Sequence, residues 1–311
     1  MKKLNFLVSL TTDDNDYQIE QATSAEEAAR RLGLDIQVIF ADNDSIQQSQ
    51  QILKFVQSSS ESHPDGIILE SVSGTALPQV ARAAAAAGIG WVVLNRGADY
   101  ISQLRRSYRV PVFSVTADNE EVGRIQGRQI GAMLPNGGSV LQIQGPSDSL
   151  TAKLRADGLE KTRPINVQVK AMRGHWTEAS AYKAVSNWLR LSTSQQSHID
   201  VIAAQNDAMA IGARKAFQEI SDNNARDRWL SVPFMGCDGV PKTGQAWVKN
   251  GTLTATVVIP ALAGQALAML SSALQSGAMP PELTMVAPSS FPALETLSVG
   301  RAAKARSTSA E

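Results

Sequence analysis

The sequence predicts an α/β protein made of two doubly wound parallel-sheet domains. Three observations lead there. Short β-branched and aliphatic runs alternate with helical stretches of about 10–16 residues almost throughout, which is the pattern of right-handed βαβ units. The strand candidates number about ten, too many for one compact domain in a chain of 311 residues. The pattern also falls into two similar halves, each long enough to bury a core of its own.

The elements follow in order. "LNFLVSL", residues 4–10, is the first strand. Two lysines ahead of it resemble the start of an export signal, but the apolar run is short, Asn5 interrupts it and acidic residues follow at once, so no export signal is read here. Residues 17–32 form a helix that Gly33 stops. "DIQVIFA" is a strand, and "SIQQSQQILKFVQ" a helix with Ile46, Ile52, Leu53 and Val56 on one side. "DGIILE" is the third strand, "ALPQVARAAAAAG" a helix ending at Gly88, and "GWVVLN" the fourth strand. A loop over residues 98–110 carries Tyr100, Arg105, Arg106 and Tyr108.

The alternation then resumes. The strands are "VFSVT", "GSVLQIQ", "NVQVKAM", "IDVIAAQ", "SVPFMGCDG" and "TLTATVV". Between and after them lie helices: "NEEVGRIQGRQIGAML" behind Asp118, "LTAKLRADGLEKT", "EASAYKAVSNWLRL", residues 208–220, "PKTGQAWVKN" and "LAGQALAMLSSALQSG". "LTMVAP" is the last ordered piece. Residues 301–311, "RAAKARSTSAE", lack apolar periodicity and read as a disordered tail.

Composition narrows the function. Hydrophobic residues are 43% and charged residues 19%, a globular balance. Lys+Arg and Asp+Glu are both 29, so no basic excess points to nucleic acid or an anionic lipid surface. The single cysteine, Cys237, excludes an intramolecular disulfide and a Cys-rich metal site. His63, His175 and His198 are far apart without ligand spacing, so no metal is expected, and no cofactor either. There is no P-loop and no dinucleotide glycine fingerprint. No run approaches about 18 apolar residues, so direct membrane insertion is not expected.

In open α/β sheets the turns at the carboxyl ends of strands border the crevice where ligands bind. Those turns carry Asn15 and Tyr17, Glu70 and Ser71, and Asn95 and Arg96 in the first half. In the second half they carry residues 147–151, His175 and Trp176, Gln205 to Asp207, and Asp238. No nucleophile–base pair stands out among them, so catalysis is not expected. Amides and carboxylates are oriented partners for hydroxyl groups, Arg offers a planar fork of donors, and aromatic rings offer flat apolar faces. That mixture suits a small polyhydroxylated ligand. In "AQNDAMAIG", Asp207 is expected to cap the helix, Asn206 to face the ligand and Gln205 to bond backbone. Asp238 between two glycines also reads as a turn residue. Trp176 reads equally as packing, and Tyr17 as the first core residue of its helix.

Eight segments occur in one order: "LVSLTTDDNDY", "LDIQVIFADND", "DGIILESVSGTAL", "VVLNR", "TADNEEVGRIQG", "AQNDAMAIGARKAF", "GCDG" and "GTLTATVV". In that order the chain resembles the type I periplasmic sugar-binding proteins, the ribose-binding-like family, over nearly its whole length. The resemblance implies two lobes joined by three hinge crossovers, with the sugar in the cleft between them. The lobes would be residues 1–116 plus 259–286 and residues 117–258 plus 287–300. It implies ligand contacts at Asn15, Tyr17, Glu70, Asn95, Arg96, Lys153, Trp176, Asn206 and Asp238. Lys153 falls near a family arginine, and Tyr100 or Tyr108 could reach the ligand from the longer loop. Glu70 replaces a usual Asn, Asn95 an Asp and Cys237 an aromatic, and Val258-Ile259 stand where the family has a glutamine. These departures imply a ligand preference unlike the ribose type.

The function expected is non-catalytic binding of a monosaccharide or polyol, delivered to an ABC permease or a chemoreceptor, in the periplasm by resemblance. The alternative is a cytoplasmic sugar-sensing module of a regulator, such as a LacI-like effector domain or a sensor partner. The missing export signal favours the alternative. The lack of a helix-turn-helix before the first strand counts against a repressor.

Overall fold

The computed structural model describes residues 3–58, 63–72, 74–195 and 197–297; the tail expected over residues 301–311 lies outside them. Two compact units emerge. The first comprises Met1–Ala117 with Pro260–Val286, and the second Asp118–Ile259 with the described residues from Ala287 on.

The first unit opens with β1 (Asn5–Leu10), α1 (Asp16–Leu32), β2 (Asp35–Phe40), α2 (Ser45–Val56), β3 (Gly66–Leu69) and α3 (Pro78–Ala86). It continues through β4 (Gly90–Leu94), α4 (Ile101–Ser107) and β5 (Val112–Ala117). The second unit follows with α5 (Asn119–Met133), β6 (Gly138–Gln144), α6 (Leu150–Thr162), β7 (Val167–Arg173), α7 (Glu178–Leu189), α8 (Ser192–Gln195) and β8 (Val201–Ala204). Then come α9 (Asp207–Gln218), α10 (Asn223–Ser231), β9 (Phe234–Asp238), α11 (Gly244–Lys249) and β10 (Ala255–Val258). The chain returns to the first unit for α12 (Ala263–Ser276) and β11 (Leu283–Val286), and ends in the second with β12 (Ser289–Phe291).

Each unit is a six-stranded sheet, ordered β11-β5-β4-β3-β1-β2 in the first and β12-β10-β9-β8-β6-β7 in the second. Every pairing is parallel except β10 with β12, which is antiparallel. Parallel strands are buried on both faces, and the two-residue period sends alternate side chains to opposite sides. In β1, Phe6, Val8 and Leu10 pack with Ala25 and Ala28 of α1 and Leu267 and Leu270 of α12. Leu7 faces the other way, toward Ile52 of α2 and Val80 and Ala84 of α3. The second unit repeats the arrangement. Leu141 and Ile143 pack with α7 and α9, and Val140 with Ile130 of α5 and Leu159 of α6.

Several expectations need correction. The loop expected over residues 98–110 contains α4, whose Ile101 and Leu104 are buried against the sheet. A helix not read from the sequence, α10, precedes β9, and "LTMVAP" is not the last ordered piece because β12 follows it. Ile46 is 68% exposed rather than on the buried side of α2, since the first turn of that helix extends past the packed surface that Ile52 and Val56 share.

Candidate functional site

In both sheets the chain steps outward from the first strand to its neighbour and then returns to the first strand's other side. The order therefore reverses between β1 and β3, and between β6 and β8. At such a switch point the connections leave in opposite directions and open a crevice at the carboxyl ends of the strands.

In the first unit this edge carries a hydrogen-bonded polar set. Asn15 is the N-cap of α1, accepting from the amides of Tyr17 (2.9 Å) and Gln18 (3.3 Å). Tyr17 is 6% exposed, and its hydroxyl donates to the Pro260 carbonyl at 3.3 Å. Glu70, just past β3, accepts from Asn95 Nδ2 at 2.8 Å. Asn95, just past β4, holds a left-handed backbone (φ 60°), which Asn tolerates better than most residues. Half-buried Arg96 follows it. Beneath them Gln48 of α2 fixes the end of β3, donating to the Glu70 carbonyl and accepting from the Val72 amide, both at 2.9 Å. Tyr100 serves packing. Its hydroxyl donates to the Ala76 carbonyl (2.6 Å) and accepts from Trp91 Nε1 (3.0 Å), and burial pushes the phenol's pKa well above its usual value.

The second unit gathers its set around an arginine that was not singled out from the sequence. Arg155 of α6 is buried. Its Nε donates to Asn119 Oδ1 at 3.1 Å, its Nη1 to the Gln205 carbonyl, and the same nitrogen lies 3.7 Å from Asp238 Oδ1. The guanidinium carbon sits 5.6 Å from the Trp176 ring centroid, a cation–π distance. Lys153, two residues earlier, is exposed. A two-residue step on a helix turns the side chain to the far face. The buried stripe of α6 runs Ala152, Arg155, Gly158 and Leu159, and that periodicity was the signal available in the sequence.

The three polar residues of "AQNDAMAIG" have separate structural tasks. Gln205 accepts from the Gly145 amide and donates to the Ala152 carbonyl, both at 2.9 Å, joining the end of β6 to the start of α6. Asn206, not Asp207, is the N-cap of α9. Its Oδ1 accepts from the Met209 amide (2.9 Å) and its Nδ2 donates to the Trp176 carbonyl (2.8 Å). An N-cap residue needs extended backbone, which Asn206 has at φ −149°, whereas Asp207 already belongs to the helix. Trp176 is held with φ 66° and lies against Gly145 so closely that any Cβ there would run into the indole. Asp238 ends β9 with φ 107° and is 7% exposed. Cys237 is buried, accepts from Gln126 Nε2 (3.4 Å), and its thiol pKa is pushed up by burial. His175 is exposed.

Among the described residues no group of three or more His, Cys, Asp and Glu could hold a metal ion, and no helix is long and apolar enough to cross a membrane. The two carboxyl-end clusters supply amide, carboxylate, guanidinium and indole groups, which recognise hydroxyls and an apolar ring face.

A family model described as a periplasmic binding protein domain matches residues 6–278. The chain belongs to the periplasmic binding protein family. Two relatives of this periplasmic binding protein are 25% identical to it. They are the D-apiose import binding protein of Paraburkholderia graminis (83% of this chain, 76% of that protein) and the D-allose-binding periplasmic protein of Escherichia coli (81% and 78%). Among solved structures, an ABC transporter solute-binding protein from Actinobacillus succinogenes with bound D-allose shares the fold. Its TM-score is 0.78 at 22% identity, covering 95% of this chain and 99% of that one. One from Bacillus halodurans with bound myo-inositol has a TM-score of 0.75 at 22% identity, covering 96% and 98%. The resemblance to type I sugar-binding proteins and the doubly wound α/β architecture read from the sequence are borne out.

Proposed function

We propose that this periplasmic binding protein binds a monosaccharide or related polyol without transforming it, and hands it to an ABC permease or a receptor in the periplasm. The observation that carries the reading is the cluster at the carboxyl ends of the second sheet. There an indole face, a guanidinium and a carboxylate stand together on a buried hydrogen-bonded frame, at Trp176, Arg155 and Asp238. Asn15, Glu70, Asn95 and Arg96 supply the first unit's contacts, with Tyr17 beside them. Asn206 acts in the second unit. The import-binding relatives support both the ligand class and a permease as partner. Glu70, where the ribose type has an amide, offers acceptors only, and losing the amide's donor shifts preference away from ribose, because a ligand oxygen that relied on that donor is left unpaired.

The test is a calorimetric and thermal-shift screen with apiose, allose, ribose, galactofuranose and myo-inositol. A ligand that binds only the native state stabilises it by mass action, by about 2.7 kcal/mol at a hundredfold excess over Kd. At least one of these should raise the melting temperature and be recovered unchanged. A screen in which none does, or turnover of the one that binds, would overturn the proposal.

A further inference from the structure

We propose that Asp207 is a positioning residue for ligand binding: its buried carboxylate sets the backbone of the Asp238–Gly239 turn, and with it the direction in which the Asp238 carboxylate is presented. The inference rests on the reading above, in which Asp238 contacts the ligand.

Asp207 is the first residue of α9 and is 3% exposed. Its Oδ2 accepts from the Gly239 amide at 2.8 Å, and its Oδ1 from the Thr256 hydroxyl of β10 at 2.7 Å. Gly236 of β9 and Gly244 of α11 press against the same carboxylate, and a Cβ on either would collide with it. The Gly239 amide and the Thr256 hydroxyl thus hold the group, two glycines wall it, and the amino end of α9 favours its negative charge. The residue it controls sits in a backbone region that L side chains rarely adopt, φ 107° at Asp238. The other side of that turn is tied to the sheet, where the Ile259 amide donates to the Asp238 carbonyl at 2.9 Å. A hydrogen bond to an ionised acceptor is among the stronger ones available to hold such a turn. Asp238 then meets Arg155 at 3.7 Å. Capping α9, the task expected of Asp207, is performed by Asn206, so the carboxylate buried here is not a cap.

Asp207→Asn keeps the shape but replaces the carboxylate by a neutral amide, whose NH2 can turn to the Thr256 hydroxyl while its oxygen gives the Gly239 amide a weaker, uncharged acceptor. With a sugar that stabilises the parent, this variant should weaken binding by about tenfold, as expected when a charge-assisted hydrogen bond becomes a neutral one. The decisive reading is a double-variant cycle with Asp238→Ala. If Asp207 acts through Asp238, the pair loses no more affinity than Asp238→Ala alone. Additive affinity losses would overturn the proposal. Thr256→Val, which leaves the carboxylate and removes one donor, should give a smaller loss that likewise vanishes in the Asp238→Ala background; it stands in if Asp207→Asn fails to fold. A ligand-free reading separates this inference from the proposed function. In the Asp207→Asn protein the Gly239 amide should move upfield in nitrogen–proton NMR spectra, and in either variant it should exchange faster. If no sugar binds the parent, the proposed function falls, and this amide decides the positioning role alone. An unchanged Gly239 amide rejects it.

Discussion

The fourth strand of each sheet, β4 and β9, occupies the same place in the strand order and ends in the same unusual way. Asn95 and Asp238 both hold positive φ, and both are steadied by a carboxylate that follows the third strand. The means differ. In the first unit Glu70 accepts from the Asn95 side chain, so side chain holds side chain. In the second, Asp207 accepts from the Gly239 backbone, while the Asp238 side chain faces Arg155. A shared topology fixes where a polar group emerges but not which atoms hold it there. The first unit can change one contact by changing one side chain. The second has tied its contact to the frame.

Arg155→Ala attacks the tied side most directly. Removing one partner of a buried charge pair costs about 3–5 kcal/mol, and Arg155 also serves Asn119 and the Gln205 carbonyl. Denaturant unfolding should show a loss of that size, and calorimetry an affinity loss of at least about a hundredfold. A variant as stable and as tight as the parent would remove the second unit's anchor from the comparison. Gly145→Ala comes next. It displaces the Trp176 indole, at a cost typical of overpacking, about 1–3 kcal/mol, with a shift in tryptophan fluorescence and weaker binding. An unchanged emission spectrum would mean that the indole does not rest on Gly145.

Glu70→Gln tests the looser side. It keeps an acceptor for Asn95, so stability should fall by less than about 1 kcal/mol, while the ranking of sugars in the binding screen changes. An unchanged ranking would take Glu70 out of the specificity set. The smallest effect is expected from Lys153→Ala. Its exposed side chain off the buried stripe should alter stability by under about 0.5 kcal/mol, and a loss of affinity rivalling that of Arg155→Ala would make Lys153 the ligand contact that the family resemblance implies.

The gap between Lys153 and Arg155 shows what the sequence could tell. The alternation of strands and helices was legible because both faces of each sheet are covered, so strands read as apolar runs and helices as one-sided stripes. Elements with little to bury were not. In α10 only Trp229 is buried, and β12 is the three-residue edge "SSF", so neither leaves a periodic signal. The site was legible as a set of turns and poorly legible as a set of bonds. "QND" announced polarity between two buried elements, but which residue caps, which bridges and which braces the next turn depends on partners 30 to 60 positions away, such as Trp176, Gly145 and Gly239.

The return of the chain to its first unit orders events during synthesis. The core around Phe6, Val8 and Ile68 is closed by Leu262, Ala266, Leu267 and Leu270, and the outer edge of β5 is covered by β11. Both lie more than a hundred residues downstream of Ala117. A ribosome that has delivered β1 to β5 has therefore delivered a sheet with one face partly bare and one edge open. By contrast, the second unit, from Asp118 to Ile259, comes out almost whole before that face is covered. Domains generally fold as units in the order they emerge. Here the half of the protein that is made first is the half that must wait.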